Sequence, residues 1–345
     1  MDSEGLRGCD STLKKILSSP NQIKTFNPIT EYFNNLKGQW QGESHIDLFC
    51  ENIIARDFGD REDGFYQNRF KRLFKKWLTA SVACCLGEYA NDVMIGFVHA
   101  DEGIGKTLAL EYLIPEELKY YYTKSNKDPK YFDITKAFTT NFLINFDEMV
   151  WITKNNSEEF KQIMTSKMFS IKNTFATTVQ RIANAVFTSN KTKEMGGFLY
   201  PQMGNRRFAV IELESIDWRN YTQIVNVGQL WAEAYVLYSM GDFDYVWNET
   251  NTAEFTEYNA KYLIETDAAK LIKEYYRVPE NGEEYEYKQP IEILRDLRSA
   301  RKLNSSMTSV SESTIGMALK QLGYVKISKK INNSPRYVYK VVQLF

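Results

Sequence analysis

Apolar residues recur at helical spacing along the first 90 positions of the chain. This spacing is clearest in Ile29–Leu36, Ile46–Ala55 and Phe70–Leu86. The helical runs are separated by breaks at Pro20, Pro28, Gly38 and Gly42. The pattern predicts an all-helical lead-in domain over residues 1–90.

From residue 91 the pattern changes to short apolar runs that alternate with helical stretches. The runs are Val93–Val98, Asn141–Phe146, Asn184–Thr188 and Phe208–Leu213. Buried strands alternating with helices are typical of a sheet that is covered by helices. We therefore predict an α/β fold class with its core over residues 91–217. Helical spacing in Gln229–Met240 and Thr256–Leu263 then predicts a helical lid or connector over residues 218–278.

The last 67 residues, 279–345, show a third pattern. After the acidic, glycine-containing stretch Pro279–Glu286, helical spacing returns in Ile291–Ala300 and in Ser311–Leu322. Ser311 is the expected N-cap of the second helix. Alternating residues then predict two strands, Tyr324–Ser328 and Arg336–Val342. Two helices followed by a two-stranded ribbon predict a winged-helix domain.

Composition excludes several classes of protein. The chain has 345 residues of which 43% are hydrophobic, enough for a large core and more than one domain. No apolar stretch approaches the ~18–20 residues of a membrane helix, and the first residues lack a signal-peptide core, so we expect a cytoplasmic protein with no membrane partner. The four cysteines show no C-x-x-C spacing, which argues against a zinc site or a disulfide framework. Adjacent Cys84 and Cys85 are expected to be buried as small apolar residues.

The charge is unevenly distributed although the net charge is only −1. From Lys288 to the end there are eleven Lys or Arg and three Asp or Glu, so the preceding residues carry an excess of nine negative charges. A basic terminal module on an acidic body is expected when one part of a protein meets a polyanion.

The segment Ala100-Asp-Glu-Gly-Ile-Gly-Lys-Thr107 lies between a predicted strand and a helix beginning at Leu108, which is the setting of a P-loop. Lys106 is expected to reach the β and γ phosphates of ATP, and the Thr107 hydroxyl to bind Mg²⁺. The predicted nucleotide-binding residues are Gly103, Ile104, Gly105, Lys106, Thr107 and Leu108. Ala100 stands where a P-loop usually has its first glycine. The alternative is a glycine-rich turn before a helix.

The apolar run Phe142–Phe146 ends in Asp147 and Glu148, the pattern of a Walker B strand. Asp147 is expected to hold Mg²⁺ through water and Glu148 to polarise the attacking water. Asn190, at the end of the next apolar run, is the candidate for orienting that water. The alternatives are carboxylates with a structural role and an asparagine that forms a turn.

Two further basic segments are candidates for phosphate contacts. Arg206 and Arg207 directly precede a predicted strand, as an arginine finger acting in cis or on a neighbouring subunit would; a solvated basic loop is the alternative. Lys167 and Lys172 lie in a segment of mixed cationic and apolar residues that could form a hairpin reaching a nucleic-acid backbone. In the terminal module the candidate DNA contacts are Lys326, Lys329, Lys330 and Arg336. The alternative for that module is a charged cap that closes a ring.

These motifs together resemble the superfamily 3 helicases, in particular their virulence-associated E (VirE-like) branch in primase-helicases of phages and mobile elements. The resemblance covers about Phe26 to Leu213. Its motifs are Asn27–Leu36, Trp40-Gln-Gly42, Ile46-Asp47, the P-loop segment, Asp147-Glu148, Thr188-Ser-Asn190 and Gly204-Asn-Arg-Arg-Phe208. The family favours Trp-Asp-Gly where this chain has Trp40-Gln-Gly42, and a basic residue is common in place of His45. The resemblance implies an AAA+-like ATPase that forms rings, usually hexamers, with an arginine supplied across the subunit interface.

We therefore expect an ATP-dependent DNA helicase or translocase acting in the replication of a phage or mobile element. ATP and Mg²⁺ would be its cofactors, and single-stranded or origin DNA its partner. A primase, if the system has one, would be on another chain or in a longer precursor. The alternatives are an ATP-dependent initiator or loader without processive unwinding, and a winged-helix DNA-binding protein with a nucleotide-sensing domain. The Glu148 carboxylate argues against a pure sensor, whereas the sequence does not separate a helicase from a loader.

Overall fold

The computed structural model describes residues 26–125, 132–149, 152, 155–170, 178–200, 203–300, 310–331 and 334–344. Within these ranges the chain forms two compact units. The first contains residues 26–192 and 203–259, and the second contains residues 193–200 and 260–344. Every helix in the described part of the chain is too short or too polar to cross a lipid bilayer.

Helices and strands occur in both units, and they are numbered here in chain order. The helices are α1 Pro28–Asn34, α2 His45–Glu51, α3 Phe65–Cys85, α4 Lys106–Tyr112, α5 Ile134–Thr140, α6 Ser157–Thr165, α7 Trp218–Ile224, α8 Val227–Met240, α9 Glu249–Asn259, α10 Asp267–Tyr275, α11 Pro290–Ser299 and α12 Glu312–Gln321. The strands are β1 Ile53–Ala55, β2 Met94–Val98, β3 Tyr122–Lys124, β4 Leu143–Phe146, β5 Met168–Phe169, β6 Val179–Gln180, β7 Asn184–Ser189, β8 Phe208–Ile216, β9 Tyr276–Arg277, β10 Glu286–Lys288, β11 Lys326–Ile331 and β12 Ser334–Gln343.

A six-stranded sheet forms the centre of the first unit, in the order β1-β8-β2-β7-β4-β3. All neighbouring pairs are parallel except β1 with β8. Every residue of β2, β4 and β7 is buried, as expected for strands covered on both faces. The prediction of an α/β core built on a sheet is confirmed, and the structure shows that this sheet is mostly parallel. Because β7 lies between β2 and β4, the carboxyl ends of these three strands meet at one edge of the sheet.

Helix α3 packs its aromatic side chains into the core beside this sheet. Phe70, Phe74 and Trp77 are fully buried in one cluster with Phe97 of β2. Cys84 and Cys85, at the end of α3, are fully buried with free thiols, so that prediction is confirmed. Burial raises the pKa of the Cys85 thiol well above its ordinary value, which leaves it unreactive.

The prediction of an all-helical lead-in is wrong at β1. Ile53 and Ala55 pair with Ile216 and Leu213 of β8, which makes β1 the antiparallel edge of the central sheet. A three-residue strand is too short to show a period of two, and its pairing partner lies far along the chain. Gln67 of α3 fixes this strand by accepting a hydrogen bond from the Ala55 N–H at 2.8 Å.

The second unit combines three helices with a small antiparallel sheet. Buried side chains of α10, α11 and α12 form its core, including Leu271, Ile293 and Ile315. Strand β12 is central and pairs with β10, β11 and β9. The two predicted helices and two predicted strands are confirmed, and Ser311 caps α12 by accepting a hydrogen bond from the Thr314 N–H at 3.3 Å. Helix α10 and strand β9 also belong to this unit, whose longer segment begins at Ala260, within the predicted connector 218–278 and before the predicted boundary at residue 279.

Gly96 of β2 leaves room for the ring of Phe187 on the neighbouring strand β7. A Cβ atom at Gly96 would lie 2.3 Å from Cε1 of Phe187, its pairing partner on β7. We predict that Gly96→Ala lowers the free energy of unfolding of the first unit by about 1–3 kcal/mol, because the ring cannot move in a close-packed sheet. Tryptophan fluorescence during urea unfolding measures this, since all six tryptophans precede Asn248.

The matched control is the same substitution in a Phe187→Leu background. If the ring causes the loss, the penalty of Gly96→Ala should shrink in that background, because the two residues are in direct contact. Equal penalties in both backgrounds would contradict the proposed clash.

Candidate functional site

The carboxyl ends of β2, β7 and β4 form one pocket of about 220 Å³. It is lined by the loop after β2, the start of α4 and the residues that follow β4 and β7. The lining residues are Glu102, Gly103, Gly105, Lys106, Thr107, Leu108, Asp147, Glu148, Thr188 and Asn190. Eight residues predicted from distant parts of the sequence thus meet in one place.

The loop after β2 requires glycine at two positions. Gly103 and Gly105 have φ values of +83° and +101°, a region that side-chain-bearing residues rarely adopt. A Cβ atom at either position would have nothing within 4 Å, so the backbone, and not crowding, accounts for these glycines. Ile104, between them, packs its side chain against the core and is not among the residues lining the pocket.

Lys106 is the first residue of α4, and its side chain turns back into the loop. Its Nζ donates hydrogen bonds to the carbonyl oxygens of His99 at 3.1 Å and Asp101 at 2.7 Å. Burial lowers the pKa of Lys106, and the nearby carboxylates of Asp101 and Glu102 oppose that shift. The pocket therefore contains a largely desolvated cation whose hydrogen-bond acceptors are neutral carbonyls, a suitable environment for an anionic ligand.

Asp147 joins all three segments of the pocket through hydrogen bonds. Its Oδ1 accepts from Thr107 Oγ1 at 2.9 Å and from Thr188 Oγ1 at 2.8 Å. The Thr188 hydroxyl in turn accepts a hydrogen bond from the Glu148 N–H at 2.9 Å. Thr188 is 1% exposed and links the two carboxylate residues to β7. Its role escaped prediction, although it begins the Thr188-Ser-Asn190 motif.

Glu148 has an unusual backbone conformation. Its φ of +52° and that of Met149, +56°, lie in the left-handed region. Holding a non-glycine residue there costs of the order of 1–3 kcal/mol and is commonly found at functional sites. The turn keeps Glu148 in the pocket lining, where Asn190 lies half-buried at the end of β7.

The oxygen atoms of this pocket fit a small hard cation. Thr107 and Asp147 supply a hydroxyl and a carboxylate oxygen, ligand types that Mg²⁺ prefers. Among the described residues, no three His, Cys, Asp or Glu side chains form a metal-binding group. Any Mg²⁺ held here would therefore retain several water or ligand oxygens, as Mg²⁺ usually does.

The structure does not bring Arg206 and Arg207 into this pocket. They directly precede β8, whose first residue Phe208 pairs with Met94 at the start of β2. Both arginines thus lie at the amino edge of the parallel sheet, opposite the pocket. The Arg206 side chain is 45% exposed and lies 3.8 Å from Asp92. Arg207 is buried, and burial lowers the pKa of its guanidinium.

The predicted nucleic-acid contacts are spread over both units. Lys167 is exposed next to the short antiparallel pair β5 and β6, whereas Lys172 lies outside the described residues. In the second unit, Lys326 and Arg336 line a groove of about 1120 Å³ between α12 and the β11–β12 ribbon. Lys329 and Lys330 are exposed on β11.

Comparison with known proteins gives one family match. Residues 34–264 match the virulence-associated protein E-like domain, which is more than half of the chain. No curated protein matches the sequence.

Among solved structures, the apo C-terminal region (305–718) of NrS-1 is 14% identical, with a TM-score of 0.42 over 93% of this chain and 79% of that chain. Its A form is 15% identical, with a TM-score of 0.40 over 93% and 78% of the two chains. A candidate ATPase from Cytophaga hutchinsonii is 15% identical, with a TM-score of 0.29 over 71% and 69%.

We predict that Thr188→Val destabilises the first unit by about 1–3 kcal/mol. Valine has nearly the same shape but leaves the Glu148 N–H without its acceptor and Asp147 without one of its two donors. Urea unfolding measures the loss. Thr188→Ser is the matched control and should retain most of the stability, since it keeps the hydroxyl. If Thr188→Val is as stable as the wild type and only Thr188→Ser is destabilised, the methyl group and not the hydrogen bonds supports the pocket.

Proposed function

The chain belongs to the virulence-associated protein E-like domain family, and we propose that it is a P-loop ATPase that uses ATP hydrolysis to act on DNA. One observation carries the proposal. A buried lysine, two hydrogen-bonded hydroxyls, two carboxylates and an amide line a single pocket at the carboxyl edge of a parallel sheet. Phosphate transfer needs this set of groups, because its catalysis consists mainly of positioning and charge neutralisation.

Each residue has a proposed role in that reaction. Lys106 would exchange its two carbonyl acceptors for phosphate oxygens, which are stronger acceptors because they are charged. Thr107 and Asp147 would hold Mg²⁺, which supplies neutralisation of phosphate charge when bound. Glu148 would accept a proton from the attacking water, and Asn190 would orient that water. The hydrogen bond from the Glu148 N–H to Thr188 fixes the backbone that carries the base.

The position of the arginines supports an active site shared between subunits. Five-residue β2 is about 16 Å long, so Arg206 at its amino edge is remote from the pocket of the same chain. An arginine that reaches phosphate would therefore act on a neighbouring copy. Arg206 is the better candidate because it is exposed, whereas Arg207 is buried at the start of β8. We propose a homo-oligomeric ring, with a hexamer as the expected size.

The second unit supports the DNA-binding part of the proposal. Its elements follow the order α10, β9, β10, α11, α12, β11 and β12, which is the order of a winged helix apart from the two-residue strand β9. The groove between α12 and the ribbon contains Lys320, Lys326 and Arg336. We propose that this groove contacts DNA phosphates and that the protein is a helicase or translocase in the replication of a phage or mobile element.

We predict that Glu148→Gln abolishes ATP hydrolysis while retaining binding of ATP with Mg²⁺. Glutamine keeps the size and hydrogen-bonding reach of the side chain but cannot accept the proton at pH 7. The rate should fall by about 10²–10⁴-fold, the usual contribution of a general base. Phosphate release measures hydrolysis, and a fluorescent ATP analogue measures binding. A strand-displacement assay with wild-type protein then distinguishes unwinding from remodelling.

Lys106→Ala is the companion variant and should lose nucleotide binding as well as hydrolysis, since the phosphates lose their buried cation. ATP turnover by Lys106→Ala near the wild-type rate would refute the P-loop assignment. Loss of binding in Glu148→Gln would instead place Glu148 in the metal site.

Arg206 is predicted to act on the nucleotide of a neighbouring subunit. Neither Arg206→Ala nor Lys106→Ala alone should hydrolyse ATP, but mixing the two proteins should restore part of the activity. A mixed ring can place an intact pocket beside an intact arginine. The measurement is ATPase rate against mixing ratio, with formation of mixed oligomers confirmed by native mass spectrometry.

Arg61→Ala is the matched control, because the Arg61 side chain is similarly exposed at 49% and is also paired with a carboxylate, that of Glu257. It should keep wild-type activity. An inactive Arg206→Ala protein that no mixing ratio rescues would contradict an arginine acting across the interface.

A further inference from the structure

The small sheet of the second unit has two faces. One face packs against helices α10, α11 and α12 to form the core of this unit, and the other, the outer face, points away from them. Tyr339 and Val341 of β12 lie in that core, so alternation along the strand directs Lys340 to the other face. Tyr287 of β10 pairs with Lys340, which places it on the same outer face. Tyr285 directly precedes β10, and its ring contacts that of Tyr287, which places it beside the same face.

The two tyrosine rings on this outer face contact each other, and each has a lysine ammonium group over it. The Tyr285 and Tyr287 rings meet edge to face, with centroids 5.3 Å apart, and their hydroxyls are 3.4 Å apart. Lys329 Nζ lies 3.8 Å from the centroid of the Tyr287 ring, and Lys340 Nζ lies 4.4 Å from that of Tyr285. We call Tyr285, Tyr287, Lys329 and Lys340 the tyrosine–lysine face.

We propose that the tyrosine–lysine face binds single-stranded nucleic acid, with bases stacking on the tyrosines and phosphates contacting the lysines. Tyr285 and Tyr287 are 39% and 38% exposed, so their rings are accessible to a ligand. Exposed rings among cations are the combination with which proteins bind single strands without sequence preference. A duplex covers the faces of its bases and cannot stack on these rings.

The net charge favours an anionic ligand over an apolar protein surface. Residues from Lys288 to the end carry an excess of eight positive charges, whereas Pro279–Tyr287, which contains both tyrosines, has four glutamates, so residues 279–345 carry an excess of four. The mutual contacts of the rings and lysines also keep them pre-arranged, which reduces the entropy lost on binding.

The tyrosine–lysine face is separate from the groove proposed for DNA phosphates. Lys326 pairs with the core residue Tyr339, and Tyr337, two residues before Tyr339, shares its side of β12. Lys326 and Tyr337 both line the groove, with Lys326 Nζ 3.7 Å from the Tyr337 ring centroid. The sheet thus presents two aromatic and cationic sites on opposite faces, and binding at the tyrosine–lysine face does not require the proposed ATPase.

The test uses the full chain and a fluorescein-labelled 20-nucleotide oligothymidylate, with binding measured by fluorescence anisotropy at fixed salt. The Tyr285→Ala, Tyr287→Ala double variant should bind it about tenfold or more weakly, since it loses two stacking rings. Its affinity for a 20-base-pair duplex should stay within about twofold of wild type. The thermal unfolding midpoint of each variant checks that it is folded. The anisotropy measurement does not depend on ATP hydrolysis, so its outcome is independent of the proposed ATPase activity.

Two control variants separate stacking from other causes. The Tyr285→Phe, Tyr287→Phe double variant keeps both rings and should retain oligothymidylate affinity. Tyr120→Ala removes a tyrosine of the first unit that is 95% exposed and belongs to no proposed binding site, so it should leave oligothymidylate affinity near wild type.

Three results would overturn the proposal. Unchanged oligothymidylate affinity in the alanine double variant would show that the tyrosine–lysine face does not bind the single strand. An equal loss of duplex binding would show that the face is not selective for single strands. Competition by polyglutamate that matches oligothymidylate and disappears in the alanine double variant would assign the face to an acidic protein partner.

Discussion

Asp147 accepts hydrogen bonds from Thr107, which follows the loop after β2, and from Thr188, near the end of β7. These two contacts join three segments that are separated by about forty residues each in the sequence. They can form only because β7 lies between β2 and β4, so that the three carboxyl ends are neighbours. The completely buried strands and the close approach of Phe187 to Gly96 fix that order, and every other property of the pocket depends on it.

The parallel sheet also separates the charged groups of the first unit. Lys106 and the carboxylates lie at its carboxyl edge, whereas Arg206 and Arg207 lie at its amino edge. A sheet of buried strands does not bend enough to bring the two edges together. Any arginine of this pair that takes part in the proposed reaction would therefore have to act on a second copy of the chain, which is the physical basis of the proposed ring.

In the small sheet of the second unit, basic side chains alternate between the two faces, so one basic segment contributes to two separate surfaces. Lys326 contributes to the groove beside α12, whereas Lys329 lies against the ring of Tyr287 on the outer face. A count of positive charges does not distinguish Lys326 from Lys329. Because they are three residues apart on β11, their side chains point to opposite faces of the sheet.

The sequence by itself determined the buried strands β2, β4, β7 and β8, helices α11 and α12 of the second unit, and the loop whose glycines adopt positive φ at residues 103 and 105. These features depend on local composition and periodicity, which one chain segment displays without its neighbours. The sequence also identified Lys106, Thr107, Asp147, Glu148 and Asn190 as a set, because each follows a strand of a recognisable pattern. Three-residue β1 was missed because its pairing with β8 is its only signal.

Only the tertiary structure decided how these residues are connected. Thr188 became a central residue because strand order places its hydroxyl beside both Asp147 and the Glu148 N–H. The arginines were placed at the far edge of the sheet by the parallel register of β8 with β2. Tyr285 and Tyr287 lie beside Lys340 and Lys329 because β12 pairs with both β10 and β11, which brings together residues more than forty positions apart. Such contacts depend on strand order and register, and neither property is encoded in any single segment of the chain.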